Sequence, residues 1–355
     1  MADTTSIEWT RSEDGTPGAT WNPVTGCTKI SEGCDHCYAE TFAERWRGTS
    51  GHHFEQGFDL TLRPDRLRLP LTWHKPRRVF LNSMSDLFHQ DIPDAYIAKV
   101  FAVMAIAGKH TFQILTKRHA RMRALLSSPS FWHQVAHEGR EHFIGCQQDW
   151  LAAGAMLGGQ PLPNVWLGVS VENQRWADIR IPALLETPAA LRFLSCEPLL
   201  GPVWISDYIW QPCLCCDGEG PDEACDRCVS AGCEGGHRRM LDWVIAGGES
   251  GHRARPMAPV WATSLRDQCR QSHVSFFFKQ WGEWAPETHG HNNGTAVLID
   301  GRTWNDGNAP GASDMVRMRR VGKKNAGRLL DNQLHNAFPA PVSPRTSTLE
   351  ERTAR

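Results

Sequence analysis

What the chain lacks narrows it first. Within its 355 residues no apolar run approaches the ~18 residues that cross a bilayer. The opening stretch MADTTSIEWT has neither the basic nor the apolar segment of a secretory signal. An excess of one charge is missing too: 38 Lys+Arg against 39 Asp+Glu leave a net charge of −1. That balance excludes a histone-like polycation but leaves room for a local basic groove. No His-Glu-x-x-His or comparable hydrolase ligand set occurs, nor any internal repeat. Tyrosine is scarce, with three residues, whereas tryptophan is abundant, with 15. Hydrophobic (41%) and charged (22%) fractions are those of a globular chain. The expectation is a soluble, cytoplasmic protein that does not engage a membrane, built as one large domain or two ordinary ones.

What is present is periodic. Six short apolar runs each end in polar residues: RRVFLN at Asn82, TFQILTK at Lys117, VWLGVSVE at Glu172, LRFLSCE at Glu197, DWVIAGGE at Glu249 and VSFFFKQ at Gln280. Their nearly continuous hydrophobicity predicts parallel strands buried on both faces. Helical patterns alternate with them. One opens at Pro93-Asp94, one follows Asn173 and is expected to break or kink at Pro182, and one follows Ala258-Pro259. This alternation predicts an α/β fold with a parallel sheet, either doubly wound or a partial or full βα barrel. Ligands of such folds bind at the carboxyl ends of the strands. Asn82, Ser83, Asp86, Thr116, Lys117, Ser170, Glu172, Cys196, Glu197, Glu249, Ser250, Lys279 and Gln280 fall there.

Twelve cysteines are distributed unevenly: three between Cys27 and Cys37, six between Cys213 and Cys233, and Cys146, Cys196 and Cys269 alone. Tight clusters without a secretory signal point to metal rather than disulfides. The first cluster, GCTKISEGCDHCY, has the spacing C-x6-C-x2-C on Cys27, Cys34 and Cys37. Three thiolates suit an iron–sulfur cube with one open iron, or a catalytic metal. A zinc knuckle completed by His36, His52 or a distant cysteine is the alternative. The second cluster pairs Cys213-x2-Cys216 with Cys225-x2-Cys228, the spacing of two zinc knuckles. Cys215, Cys233 and His237 are spare ligands, and an auxiliary iron–sulfur cluster is the competing assignment. The insertion has too few apolar residues for its own core, so metal would fold it.

The runs ATWNPVTGCTKISEGCDHCYAE, FLNSMSDLF, FQILTKR, VWLGVSVE, FLSCEPLLGP, WVIAGGESG and FFFKQWGEW together resemble a bacterial and phage-encoded three-cysteine-motif family of unknown function, itself similar to a divergent branch of the radical S-adenosylmethionine (SAM) enzymes. The resemblance spans roughly Ile7 to Leu330, apart from the second cysteine cluster. It implies a radical SAM-type partial barrel, a [4Fe–4S] cluster on Cys27, Cys34 and Cys37, and SAM on the open iron. It also implies an electron donor as partner and a 5′-deoxyadenosyl radical that abstracts substrate hydrogen. His36 would then lie beside adenine, with Tyr38 next to it. The chain departs from that pattern in its longer first cysteine spacing. Its Gly247-Gly248-Glu249 also follows a late strand rather than the second. Asn82, Ser83 and Asp86 are therefore assigned to the amino-acid end of SAM and Ser170 to the same cofactor site. Lys117, Glu172, Glu197, Glu249 and Lys279 are the catalytic candidates.

Basic residues gather at Lys117, Arg118, Arg121 and Arg123, and again at Arg317, Arg319, Arg320, Lys323, Lys324 and Arg328. They form either a cationic groove for phosphates or a solvated helix face. Trp281 and Trp284 flank one strand end and could stack on a base. A nucleic acid or nucleotide is the expected substrate, for modification or repair. The alternative is a non-catalytic, zinc-stabilised nucleic-acid-binding protein. The expected divisions are 1–210, the first part of the barrel; 211–237, the Cys-rich zinc-binding insertion; 238–337, the rest of the barrel with the basic segment; and 338–355, a disordered tail.

Overall fold

The computed structural model describes residues 4–12, 15–143, 161–212, 233–234, 237–286, 295–298, 300, 302–305 and 315–340. Seven strands form one parallel sheet: β1 (Ala19–Trp21), β2 (Arg78–Leu81), β3 (Thr111–Thr116), β4 (Val165–Ser170), β5 (Leu191–Cys196), β6 (Trp243–Gly247) and β7 (Ser275–Gln280). Their order in the sheet follows the chain from edge to edge, and β1 does not pair with β7. Chain-order winding without closure is a half-barrel, which decides between the two α/β architectures that the alternation allowed. All six apolar runs became strands. β1 was missed, because three residues are too few to show a period.

Strand alternation divides the core in two. Val79, Leu81, Val165, Leu167, Val169, Leu194, Val244, Ala246, Phe276 and Phe278 point outward. There they meet α2 (Asp94–Ile106), α5 (Gln174–Glu186) and α6 (Pro259–Gln271), with α3 (His119–Leu126) and α4 (Pro129–His142) beside them. Phe80, Trp166, Leu191, Phe193, Trp243, Ile245 and Phe277 point inward. Neither face can spare polar residues, which explains the unbroken hydrophobicity of the runs. Gly168 is required on the inner face, since a Cβ there would lie 2.5 Å from the Phe193 ring.

Two segments close the open inner side. The turn Glu8–Thr10 inserts Trp9, whose ring meets Phe80 edge-on at 4.6 Å. Phe338, where the expected tail begins, packs on Trp243 and Phe277 at 5.4 and 5.6 Å, a large aromatic that fills the half-barrel. Residues 341–355 of that tail lie outside the described residues. The helix after Asn173 runs unbroken through Pro182, with Asn173 accepting from Trp176 N at its start. Proline removes one helical donor, and packing of Ile181, Ala183, Leu184 and Leu185 in the core outweighs that loss.

Beyond β7, an antiparallel sheet carries the basic segment: β8 (Trp284–Pro286), β9 (Thr295–Leu298), β10 (Thr303–Asn305) and β11 (Met315–Arg320). Arg317, Arg319 and Arg320 thus sit on a strand, not a helix face. The segments Trp210–Pro212 and His237–Arg239 pair antiparallel at the base of the Cys-rich stretch. Cys213, Cys216, Cys225 and Cys228, the expected zinc ligands, lie outside the described residues, as does Cys146. Among the described residues no helix is long and apolar enough to cross a membrane.

Candidate functional site

The strand carboxyl ends open on a cavity of roughly 500 Å³. Its roof is the cysteine loop, contributing Cys27, Cys34, His36 and Cys37, followed by Tyr38 at the start of α1 (Tyr38–Glu44). Its rim comes from successive strand ends: Asn82, Ser83 and Asp86 after β2, Thr116, Lys117 and Arg118 after β3, Ser170 on β4, Ser195 and Glu197 at β5, Glu249 and Ser250 after β6, and Lys279 and Gln280 on β7. Ile7, Trp9, Phe80 and Leu115 make an apolar floor. An apolar hollow with converging polar groups at this end of a parallel sheet is where such folds bind ligands.

The cysteine loop has little regular structure, so side chains hold it. Glu32 accepts from Asn173 Nδ2 (2.5 Å) and Trp176 Nε1 (2.8 Å) at the start of α5. These bonds hold its carboxyl below the usual range although burial acts to raise it. Ser31 Oγ donates to Glu172 Oε1 at 2.9 Å, and Gly33 lies so close that a Cβ would meet the Glu172 side chain at 2.5 Å. Arg255 clamps the other side: Nη2 donates to Glu32 O (2.8 Å) and Nη1 to Asp35 Oδ2 (3.3 Å). Arg118 Nη1 reaches Cys27 Sγ at 3.2 Å, while its Nη2 donates to Thr28 O and Oγ1. Burial, then Asp86, pushes the Cys27 thiol up to about 11 against the lowering effect of Arg118. Burial likewise raises Cys37. Cys34 adds a smaller rise to both.

The carboxylates of the site are already engaged. Asp86 accepts from Phe88 N, Thr116 Oγ1 and Lys117 N (3.0, 2.7 and 3.0 Å) and has Arg118 Nη1 at 3.3 Å, which fills its roughly four acceptor positions. Glu249 accepts from Arg255 N, Nε and Nη2 (2.7, 2.9 and 2.7 Å), with His36 Nδ1 at 3.2 Å. Burial works to raise Glu249, but the Arg255 bonds prevail and its pKa falls. Glu197 pairs with Lys279 Nζ at 2.7 Å and accepts from Gln280 Nε2 at 3.1 Å. Glu172 is fully buried with Arg180 Nη1 at 2.7 Å and Lys117 Nζ at 3.3 Å.

Asn82 is the opposite case. Only 4% exposed, it lines the cavity with neither carboxamide atom hydrogen-bonded, and its backbone is left-handed at φ 57°. A buried amide without partners costs about 1–3 kcal/mol. Asparagine tolerates that φ better than other non-glycine residues. Both a donor and an acceptor of this side chain thus face the cavity unpaired.

The structure brings most of the strand-end residues named from the sequence to one cavity and puts some elsewhere. Glu172 supports the cysteine loop from beneath and is not on the cavity wall; its successor position after β4 turned it under the loop. Asp86 is a structural tie between the β2 and β3 ends rather than a free acceptor for an amine. Cys196 points into the outer core, where burial raises its thiol pKa. Trp281 is buried, with Nε1 donating to Leu329 O, and so offers no free stacking face; Trp284 is partly buried, with Nε1 donating to Ala254 O. Arg255 and Asn22 were missed. Asn22 accepts from Met84 N and bonds Ser83 Oγ, shaping the loop after β2; the asparagine in TWNP was its only trace.

Among the described residues, no three His, Cys, Asp or Glu side chains converge as a single metal ion requires. His52 stacks on Trp46 and accepts from Phe54 N, and His36 faces Glu249, so these two candidate fourth ligands have other partners. No curated protein and no solved structure matches this chain. The family model described as a protein of unknown function, DUF5131, matches residues 4–339, and the chain belongs to that family.

Proposed function

We propose that the cavity is the reaction site of a radical SAM-type iron–sulfur enzyme that modifies or repairs a nucleic acid or nucleotide. One observation carries the reading: three thiols on a loop clamped from both sides, roofing a cavity at the carboxyl ends of a parallel half-barrel. Cys27, Cys34 and Cys37 would hold a [4Fe–4S] cluster, which when reduced supplies the electron that cleaves bound SAM to methionine and a 5′-deoxyadenosyl radical.

The chain's own groups bind, orient and seal. Asn82 would meet the amino-acid end of SAM, its Oδ1 accepting from an amino N–H and its Nδ2 donating to the carboxylate. Ser83 and Ser170 supply hydroxyls beside it. His36 is held by Glu249 against the roof. Glu197 and Lys279, paired across β5 and β7, face the cavity as the substrate-side acid and base candidates. Trp9 and Phe80 exclude water from below. An electron donor is the required partner, and Cys213, Cys216, Cys225 and Cys228 remain the proposed zinc ligands of the insertion.

Anaerobic reconstitution followed by dithionite and SAM tests this reading through 5′-deoxyadenosine formation. A colourless protein with two zinc ions and no such product would overturn it in favour of a non-catalytic binding protein. Cys34→Ala is expected to lose the iron and keep the zinc, as read by metal analysis, because the two ligand sets are disjoint.

A further inference from the structure

A second cavity of roughly 450 Å³ adjoins the first and shares Ile7, Tyr38 and Ser83 with it. Its outer wall is an aromatic row. Tyr38 and Phe42 lie one helical turn apart on α1, and Trp46 follows four residues later, just past the helix end. They are 61%, 44% and 38% exposed, a clustering of large rings in water that marks a binding surface. Each ring is held. Tyr38 Oη donates to Ser83 O, Phe42 stands edge-on to Phe54, and Trp46 stacks on His52 at 4.2 Å.

The carboxylates on α1 itself, Glu40 and Glu44, are paired with Lys29 and Arg47. No carboxylate lines the second cavity, whose ionisable groups besides Tyr38 are His52, His53 and Arg66. Asp65 pairs with Arg66 outside the wall. Lys323, on the wall of the first cavity, and its neighbour Lys324 are exposed and have no ion pair among the described residues. Flat rings on one side and unpaired cations on the other match a chain of unstacked bases joined by phosphates.

We infer that this groove takes a single-stranded nucleic acid, with the target nucleotide in the first cavity and the neighbouring bases stacked on Tyr38, Phe42 and Trp46. The first cavity is too small for a duplex, so a paired target would have to leave its stack, and the row gives its neighbours new stacking partners. This inference rests on the reading of the first cavity as the reaction site.

Fluorescence anisotropy with labelled single-stranded DNA and RNA oligonucleotides, and with the matching duplexes, tests it on the full chain. Single strands are expected to bind about tenfold or more tightly than duplex. Phe42→Leu with Trp46→Leu keeps apolar surface but removes the flat rings; it is expected to weaken single-strand binding about ten- to a hundredfold with an unchanged salt slope. Lys323→Gln with Lys324→Gln is expected to flatten the log–log salt slope by about 1.4. Thermal unfolding checks that the variants fold, and Trp46→Leu alone carries the test if the double variant does not. Unaltered binding in the ring variants, or a preference for duplex, would overturn the inference. A wild-type protein that forms 5′-deoxyadenosine but binds no strand would overturn this inference alone; one that binds strands in this way yet assembles no cluster would overturn the cofactor reading alone.

Discussion

The floor and the mouth of the half-barrel are built from the same strands and behave as opposites. At the floor, Trp9, Phe80, Trp166, Phe193, Trp243 and Phe277 pack edge to face or tilted, and need no hydrogen-bond partners. At the mouth, two or three residues further along those strands, the groups are polar and bonded over long sequence separations, as when Arg255 reaches Asp35 across 220 residues. The floor gains by excluding water, so any well-fitting aromatic serves it. The mouth holds charges out of bulk water, which is tolerable only where each finds its partner. Asn82 departs from that pattern with both carboxamide atoms unpaired, and the proposed function gives them to the ligand.

Substitutions at the two levels should therefore separate stability from binding. Trp243→Ala, at the centre of the floor, is expected to destabilise by about 3–5 kcal/mol in denaturant unfolding. Glu172→Gln should behave like a floor substitution although it sits at a strand end, because it strands Arg180 unpaired in the interior. A loss of about 3 kcal/mol is expected, the low end for a buried pair since Arg180 also lies over the Trp176 ring. A stability change near zero would show that Glu172 serves the ligand instead.

Asn82→Gly makes the contrast sharpest. Glycine accepts the left-handed backbone and removes the orphaned amide, so unfolding should shift by less than about 1 kcal/mol. SAM affinity of the reconstituted protein, by calorimetry, should fall about ten- to a hundredfold. Loss of stability with intact affinity would make Asn82 a loop-shaping residue.

The smallest effect concerns the Arg255 clamp and depends on pH. Glu249 has a depressed folded pKa, so its contribution is present above its unfolded value of about 4.3 and is lost as pH falls through the folded one. Arg255→Gln should lower stability by about 1.5 kcal/mol at neutral pH. The gap to wild type should narrow as acid unfolding is followed below about pH 4. A gap that does not change with pH would assign the loss to Arg255 packing rather than to the ion pair.

Much of the fold was legible because burial on both faces leaves a local mark. Runs such as VWLGVS and VSFFFKQ state their own strand, and Asn173 its own helix start. The antiparallel sheet at β8–β11 was not legible: its strands are short, and MVRMRR shows its charge more plainly than its period. The site was legible by position and not by role. Strand-end polar residues announce themselves along the chain, but whether Asp86 is free or saturated depends on Thr116 and Arg118, which no spacing connects to it.

By itself the sequence determined the strand succession, the parallel sheet, the three-thiol loop and the set of polar residues at the strand ends, all of which follow from periodicities and spacings within a few residues. Only the tertiary structure decided that the sheet stays open and is plugged by Trp9 and Phe338. It alone determined that Glu172 and Asp86 are supports, that Arg255 closes the cysteine loop, and that Asn82 alone among the described rim residues keeps a buried amide unpaired. Hydrogen bonds and ion pairs act over about 3 Å in space and carry no trace of their sequence separation, so their partners exist only once the chain has folded.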